Sequence, residues 1–188
     1  MAQNQKARET AAIILQAMKD RRSIRNYTGE AIPKEDLELI VEAGLTSASG
    51  HADYPWDIVV VQDLDTVHKL AGARAGSANM LKNAGAAIVV TADEQFSTWI
   101  EDCSIVLTNM HLLADAMGYG SCWIQIRMRP DAGGGNAEDF VRSLVKVPDG
   151  FRVEALLSIG VPEKEKTADD AARQAKRVGF AAEKVQYQ

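Results

Sequence analysis

Between Gln95 and Met117 lies the longest helical pattern of the chain. Ile100, Cys103, Leu107, Met110, Ala114 and Met117 recur there by threes and fours, the spacing of one face of an α-helix. A helix this long with one apolar stripe must run through the centre of a fold or along an oligomer interface. Gly118 follows it as a C′ glycine. The segments around it alternate. Asp57–Gln62 is a continuous apolar run, read as a buried central strand, and Ala86–Ala92, Ser121–Ile126 and Val153–Gly160 read as further strands. Ala7–Arg21 carries Ala11, Ile14, Leu15 and Met18 at helical spacing, and a second helix starts near Pro33 with the face Leu37, Ile40, Val41 and Gly44. Asp63 caps a short helix through Val67 and Ala71, and Asn136 caps another through Phe140, Leu144 and Val147. Gly133–Gly135 reads as a flexible loop, and beyond Pro162 the chain turns polar, with a charged helical stretch over 167–177. Such alternation argues an α/β or α+β sheet with helices packed on it.

At 188 residues, without repeat or linker, the chain reads as one domain spanning 1–188. Lys and Arg number 21 against 26 Asp and Glu, a net charge of −5. That balance excludes a general nucleic-acid binder and gives no attraction to an anionic membrane surface. No apolar run approaches the roughly 20 residues of a membrane span. The polar start, Met1–Arg8, predicts no secretory signal and a cytoplasmic location. Two cysteines and three histidines without ligand spacing predict no metal site.

Familiar catalytic motifs fail on inspection. Gly118-Tyr-Gly120-Ser-Cys-Trp123 begins like a dinucleotide fingerprint, but Trp stands where the third glycine belongs and helix precedes strand. Gly72 and Gly76 lack the ending of a P-loop, and no GxSxG elbow exists. His111 and Asp115, four apart on the long helix, read as a histidine on a partly buried face beside a carboxylate. Glu101 and Asp102 are adjacent, so they face apart and form no carboxylate pair. Cys122, beside Trp123, reads as a small buried residue. What stands out is Arg21-Arg22-Ser23-Ile24-Arg25. Guanidinium forks and a hydroxyl suit a phosphate, though a solvated basic patch at a helix end has the same composition.

A second feature sharpens the choice. Thr46-Ser-Ala-Ser-Gly-His-Ala-Asp-Tyr-Pro55-Trp56 is a small-residue loop that leads straight into a strand, and small residues let a planar ligand approach the backbone closely. Arginines and serine, then this loop ending in Pro-Trp, then Trp99-Ile-Glu-Asp102 through Gly118-Tyr-Gly-Ser-Cys-Trp-Ile124, then Leu144 to Pro162 with its closing Ile-Gly-Val-Pro, come in the order of the nitroreductase family of flavoproteins. The resemblance covers about Arg21 to Pro162.

The resemblance implies an α+β, nitroreductase-like fold: a mainly antiparallel central sheet flanked by helices, in an intertwined homodimer, with the tail from about 163 to 188 extended onto the partner. It implies FMN as cofactor and NADH or NADPH as electron donor. Arg21, Arg22, Ser23 and Arg25 would hold the phosphate and the pyrimidine edge of the flavin. Ala48, Ser49, Gly50 and Ala52 would lie along the ring from the other chain, and Ile124, Gln125 and Ile126 would present backbone amides near the reactive nitrogen. Lys176 and Arg177 would complete the phosphate site. Ala52 and Tyr54 stand where the family carries Asn and Gln, and losing such an amide costs on the order of 1 kcal/mol. His51 and Tyr54 then become candidates for shaping the substrate pocket, and Arg127, in the loop before the triple glycine, is a candidate for receiving an acidic substrate or the nicotinamide phosphate, though a solvated loop has the same composition. The implied activity is an oxidoreductase passing hydride through flavin, in ping-pong fashion, to a nitroaromatic, a quinone or a related small-molecule acceptor. The same pattern also allows a non-turnover flavin-binding or redox-sensing protein, or an oxidase of specialised substrates.

Overall fold

The computed structural model describes residues 2–167, 170, 172–173, 175–176, 178–179 and 184–186. These fall into two compact units, one formed by residues 1–21 with 164–188 and the other by 22–163.

In the larger unit, four strands form one antiparallel sheet in the order β1-β2-β4-β3: β1 (Trp56–Val61), β2 (Ala86–Asp93), β3 (Gly120–Gln125) and β4 (Phe151–Gly160). Alternation along β2 builds both cores. Ala87 and Val89 face one side, whereas Ala86, Ile88, Val90 and Ala92 face the other, as the period of two requires. On the second side lie α2 (Lys34–Leu45) and α4 (Trp99–Ala116), whose Leu37, Ile40, Val106, Leu107 and Met110 are buried. The first side is covered by α3 (Leu64–Lys69), two short 3-10 turns at 70–73 and 79–83, and α5 (Ala137–Leu144), through Val67, Leu70, Leu81 and Val141. The result is a three-layer α+β sandwich.

Local chemistry sets the helix ends. Asp63 accepts the Thr66 N–H at 3.0 Å, and Asn136 Oδ1 accepts the Glu138 N–H at 2.8 Å, so both expected caps form. Gly118, at φ +88°, closes α4 with Gly118 N–H on Asp115 O and Tyr119 N–H on Ala114 O, a Schellman motif. α4 starts at Trp99, later than its apolar spacing predicts, because Asp93 Oδ1 captures the Gln95 N–H at 2.9 Å and turns the chain. α5 stops at Leu144, short of Val147, since Val145 is already extended.

Two features depart from the sequence reading. The run at 57–62 predicts a central strand, yet β1 is an edge strand with Val60 37% exposed. Helical layers cover the sheet on both faces, so an edge strand is as apolar as an inner one. Register between β2 and β4 shifts between Val90 and Thr91: Val90 opposes Ala155 and Thr91 opposes Val153. Glu154 is the extra residue of this β-bulge, and the apolar phase of β4 slips there, Val153 and Leu156 sharing one face.

In the smaller unit, α1 (Ala2–Asp20) leaves Ile13, Ile14, Leu15 and Met18 about half exposed or more. Lys166 Nζ donates to Asp20 O at 3.0 Å. Thr167 and Asp170 cap each other reciprocally, with Thr167 N–H on Asp170 Oδ2 at 2.9 Å and Asp170 N–H on Thr167 Oγ1 at 3.3 Å. The described residues from 172 to 179 are helical, as the charged stretch predicts.

Candidate functional site

Arg22 to Tyr27 lies along the open edge of β3, pinned at four points. The Arg22 N–H donates to Asp115 Oδ1 at 3.1 Å, and the Ile24 N–H to Ser121 O at 3.0 Å, where Ser23 and Ser121 form a parallel bridge. Tyr27 OH donates to Ile24 O at 2.6 Å and meets Ser158 Oγ at 2.9 Å. Its side chain packs on Gly160, where a Cβ would stand 2.5 Å from Tyr27 Cγ, so only glycine fits. Burial pushes the Tyr27 phenol well above its ordinary value, so it stays a neutral donor. Backbone groups and the Tyr27 hydroxyl thus fix the segment; Ser23 and Arg25 are exposed, with Arg25 Nη1 donating to Ser23 O at 3.3 Å, and Arg22 is half-buried. Arg21 directly follows α1 in the smaller unit, its N–H on Ala17 O at 3.0 Å. Lys176, also in that unit, is exposed, and Arg177 lies outside the described residues.

The small-residue loop is fastened to α4 at its middle and at its start. Asn109 Nδ2 donates to Ser47 Oγ at 2.9 Å. Ser49 Oγ and Gly50 N donate to the two oxygens of Asp102, each at 3.1 Å. Ala48, His51, Ala52 and Tyr54 are exposed, and Ser49 and Gly50 half-buried. His51, Ala52 and Tyr54 hold positive φ, at 55°, 60° and 49°.

The end of β3 is organised by Glu154. Its Oε1 accepts Gln125 Nε2 at 2.8 Å, and its Oε2 accepts Arg127 Nε at 2.6 Å. Gln125 Oε1 in turn accepts Trp123 Nε1 at 3.0 Å. Arg127 also lies over the Trp99 ring, 5.8 Å from its centroid, a cation–π contact. These bonds revise two expectations. The Ile126 N–H is donated to Glu154 O at 3.1 Å and is not open to a ligand; Ile124 and Ile126 point their side chains into the core. Alternation along an antiparallel edge strand leaves the Gln125 N–H facing outward. Arg127 does lie in a turn, but it is neither solvated nor open to an acidic substrate: it is half-buried and paired with the Glu154 carboxylate.

His111 Nδ1 meets Ser121 Oγ at 2.5 Å, beside Asp115 and the arginine segment. Cys103 and Cys122 are buried and not joined in a disulfide, and burial pushes the Cys103 thiol up to about 12. No group of three or more metal-ligating side chains occurs among the described residues. No helix of the described residues is long and apolar enough to cross a membrane.

The structure therefore brings together Arg22, Ser23 and Arg25 at the end of α4, and Ser49 and Gly50 at its start. Asp102 and Asp115, which hold the two groups, are thirteen residues apart on one helix, roughly 20 Å at 1.5 Å per residue. The residues that sequence reasoning missed are Tyr27, Glu154 and the roles of Asp102 and Asp115. A lone Glu in the apolar run from Val153 to Gly160 was a readable signal for one of them.

The fold is an antiparallel α+β sandwich with an arginine-bearing segment anchored along its sheet edge. The nitroreductase family model matches residues 18–78 and 67–161, and the chain belongs to that family. An Archaeoglobus fulgidus protein provisionally named as an NADH dehydrogenase/NAD(P)H nitroreductase is 35% identical over 158 residues, covering 80% of this chain and 87% of its own length. The solved structure of an FMN-dependent nitroreductase from Clostridium difficile R20291 superposes with a TM-score of 0.79 at 36% identity, covering 92% of this chain and 97% of that one. A Desulfovibrio desulfuricans structure, provisionally assigned as a nitroreductase and solved in complex with FMN, gives a TM-score of 0.66 at 25% identity, covering 84% of this chain and 93% of that one.

Proposed function

We propose that the protein is an FMN-dependent NAD(P)H oxidoreductase that works as a homodimer. The observation that carries this reading is the edge segment Arg22–Arg25, whose backbone is anchored by Asp115, Ser121 and Tyr27 while Ser23 and Arg25 face solvent. Guanidinium forks and a hydroxyl on an anchored backbone are the donor set a phosphate monoester needs, so the residues present fit FMN. Arg22, Ser23 and Arg25 hold the phosphate and the pyrimidine edge. A cation at that edge favours negative charge on a reduced ring. FMN, when bound, supplies the group that takes hydride from NADH or NADPH and passes it to an acceptor. The chain then needs no acid–base pair of its own, in keeping with the structural roles of His111, Asp115 and Asp102.

Separation of the two halves along α4 supports the dimer. The outer face of α4 carries Glu101, Ile105, Thr108, Leu112 and Ala116, apolar or uncharged past its first turn, and Leu39, Leu45 and Ile105 are 49%, 58% and 39% exposed. Two copies of α4 packed antiparallel about a two-fold axis bring the Ser49–Tyr54 loop of one beside the arginine segment of the other. The ring then lies between Gln125 of one chain and Ala48, Ser49, Gly50 and Ala52 of its partner. His51, Tyr54 and Arg127 border the acceptor. Because the Arg127 guanidinium is already paired with Glu154, a neutral planar acceptor such as a nitroaromatic or quinone suits the pocket. Nicotinamide and acceptor take turns in it.

Replacing Ser23 and Arg25 together by alanine tests the assignment. FMN binding should fall about tenfold or more, and by a larger factor than the binding of riboflavin, which lacks the phosphate. Equal losses for both, or none, would refute the phosphate site.

A further inference from the structure

The chemistry proposed above gives Asp102 no task, yet its side chain is withdrawn from water and surrounded by donors. The residue is 2% exposed. Its Oδ1 accepts the Gly50 N–H at 3.1 Å, and its Oδ2 accepts the Ser49 and Thr98 hydroxyls, each at 3.1 Å. Ser49 Oγ in turn accepts the Tyr54 N–H at 3.0 Å. A buried carboxylate is costly unless its lone pairs are met, and here two of its three donors come from one short loop.

That loop is strained. His51, Ala52 and Tyr54 adopt φ of 55°, 60° and 49°, a region disfavoured for residues with a Cβ. Such a backbone persists only where its surroundings over-determine it. The loop is also jammed against α4: a Cβ at Gly50 would overlap Thr98 Oγ1. Between its clamped ends it projects His51 and Tyr54, both exposed, with the Tyr54 ring edge-on to Trp56 at a centroid distance of 5.4 Å.

We infer that Asp102 is the positioning residue of the acceptor pocket. It grips the loop directly at Ser49 and Gly50 and, through Ser49, at Tyr54. The strained turn between them presents His51 and Tyr54 on a rigid backbone. The inference rests on the assignment of this loop to the flavin pocket and adds that the pocket is shaped by a carboxylate that never touches the ligand. Neighbouring Glu101 is exposed and plays no part.

The test compares Asp102→Asn, Asp102→Ala and the double variant Asp102→Ala/Ala52→Gly. Amide hydrogen exchange on flavin-free protein reads the clamp, and steady-state kinetics of the FMN-loaded protein with 1,4-benzoquinone reads the pocket. In Asp102→Ala the Gly50 and Tyr54 amides should exchange about tenfold faster or more. The KM for benzoquinone should rise about fivefold, with kcat changed less than about twofold. Asp102→Asn, whose amide can still accept from Gly50 and donate to a hydroxyl, should fall between. Ala52→Gly should recover part of the KM, because glycine holds positive φ without a clamp. Unchanged exchange, or a lower melting temperature with KM intact, would make Asp102 a mere staple of α4 and overturn the inference. If Asp102→Ala does not fold, Asp102→Asn decides on the same two readings. A wild-type protein that takes up no FMN would fail the flavin reading, while the exchange arm would still decide whether Asp102 holds the loop.

Discussion

Replacing Tyr27 by phenylalanine removes one oxygen from the anchor of the arginine segment and leaves its packing intact. The ring is 1% exposed, and its hydroxyl makes bonds of 2.6 Å to Ile24 O and 2.9 Å to Ser158 Oγ. Each such bond contributes roughly 0.5–1.5 kcal/mol net, and an acceptor left unmet inside the protein costs more. Ser158 keeps an alternative, since its hydroxyl lies 3.3 Å from Cys122 O, so the main loss falls on Ile24 O. The sum is about 2 kcal/mol, which for a chain of this length lowers the melting temperature by roughly 4–8 °C. Thermal unfolding followed by circular dichroism reads the shift. FMN affinity should fall with it, by about three- to tenfold, because Ile24 sits between Ser23 and Arg25. A melting temperature within about 1 °C of wild type would refute the energetic argument. A clear shift with undiminished FMN affinity would refute the claim that Tyr27 orders the binding segment.

Glu138 and the cysteines give two further tests. Burial pushes the Glu138 carboxyl up, but paired bonds from Arg152 at 2.8 and 2.9 Å outweigh it and hold the group below its ordinary value. A lowered carboxyl adds stability above its unfolded value, near 4.3, and loses it as pH falls through the folded one. Glu138→Gln should therefore cost about 1–2 kcal/mol at pH 7, the Arg152 side chain being 38% exposed and partly screened. In urea titrations the difference should shrink toward pH 3; a gap that widens there contradicts the pairing. For Cys103, a value pushed up to about 12 keeps the thiol protonated at pH 8. Neither buried cysteine should react with a disulfide reagent in the native protein, and both should react once urea unfolds it; rapid native labelling would contradict the burial.

Much of the architecture was legible because its signals are local. Asp63 and Asn136 cap helices as their positions imply, Gly118 closes α4, and all four strands form where apolar runs stand between turns. Strand order was not legible. An edge strand roofed by helices on both faces reads like a central one, so β1 was misplaced. Nor was the β-bulge: one extra residue in β4 turns Glu154 from an anomaly in an apolar run into the hub that binds Gln125 and Arg127. The arginine cluster was visible as composition, but its anchors lie far along the chain, Asp115 on α4 and Ser158 on β4. Adjacent residues also hid a division of labour. Glu101 faces solvent while Asp102, one step round the helix, is buried against a loop fifty residues earlier.

The central claim is best tested by the visible absorbance spectrum of the FMN-loaded protein, recorded under anaerobic conditions before and after NADH and then NADPH. The account predicts a flavin spectrum that bleaches with at least one nucleotide and returns when benzoquinone is added. A flavin spectrum that neither nucleotide bleaches would contradict the oxidoreductase reading in favour of a binding or sensing role, and a protein that takes up no FMN would contradict the account at its root.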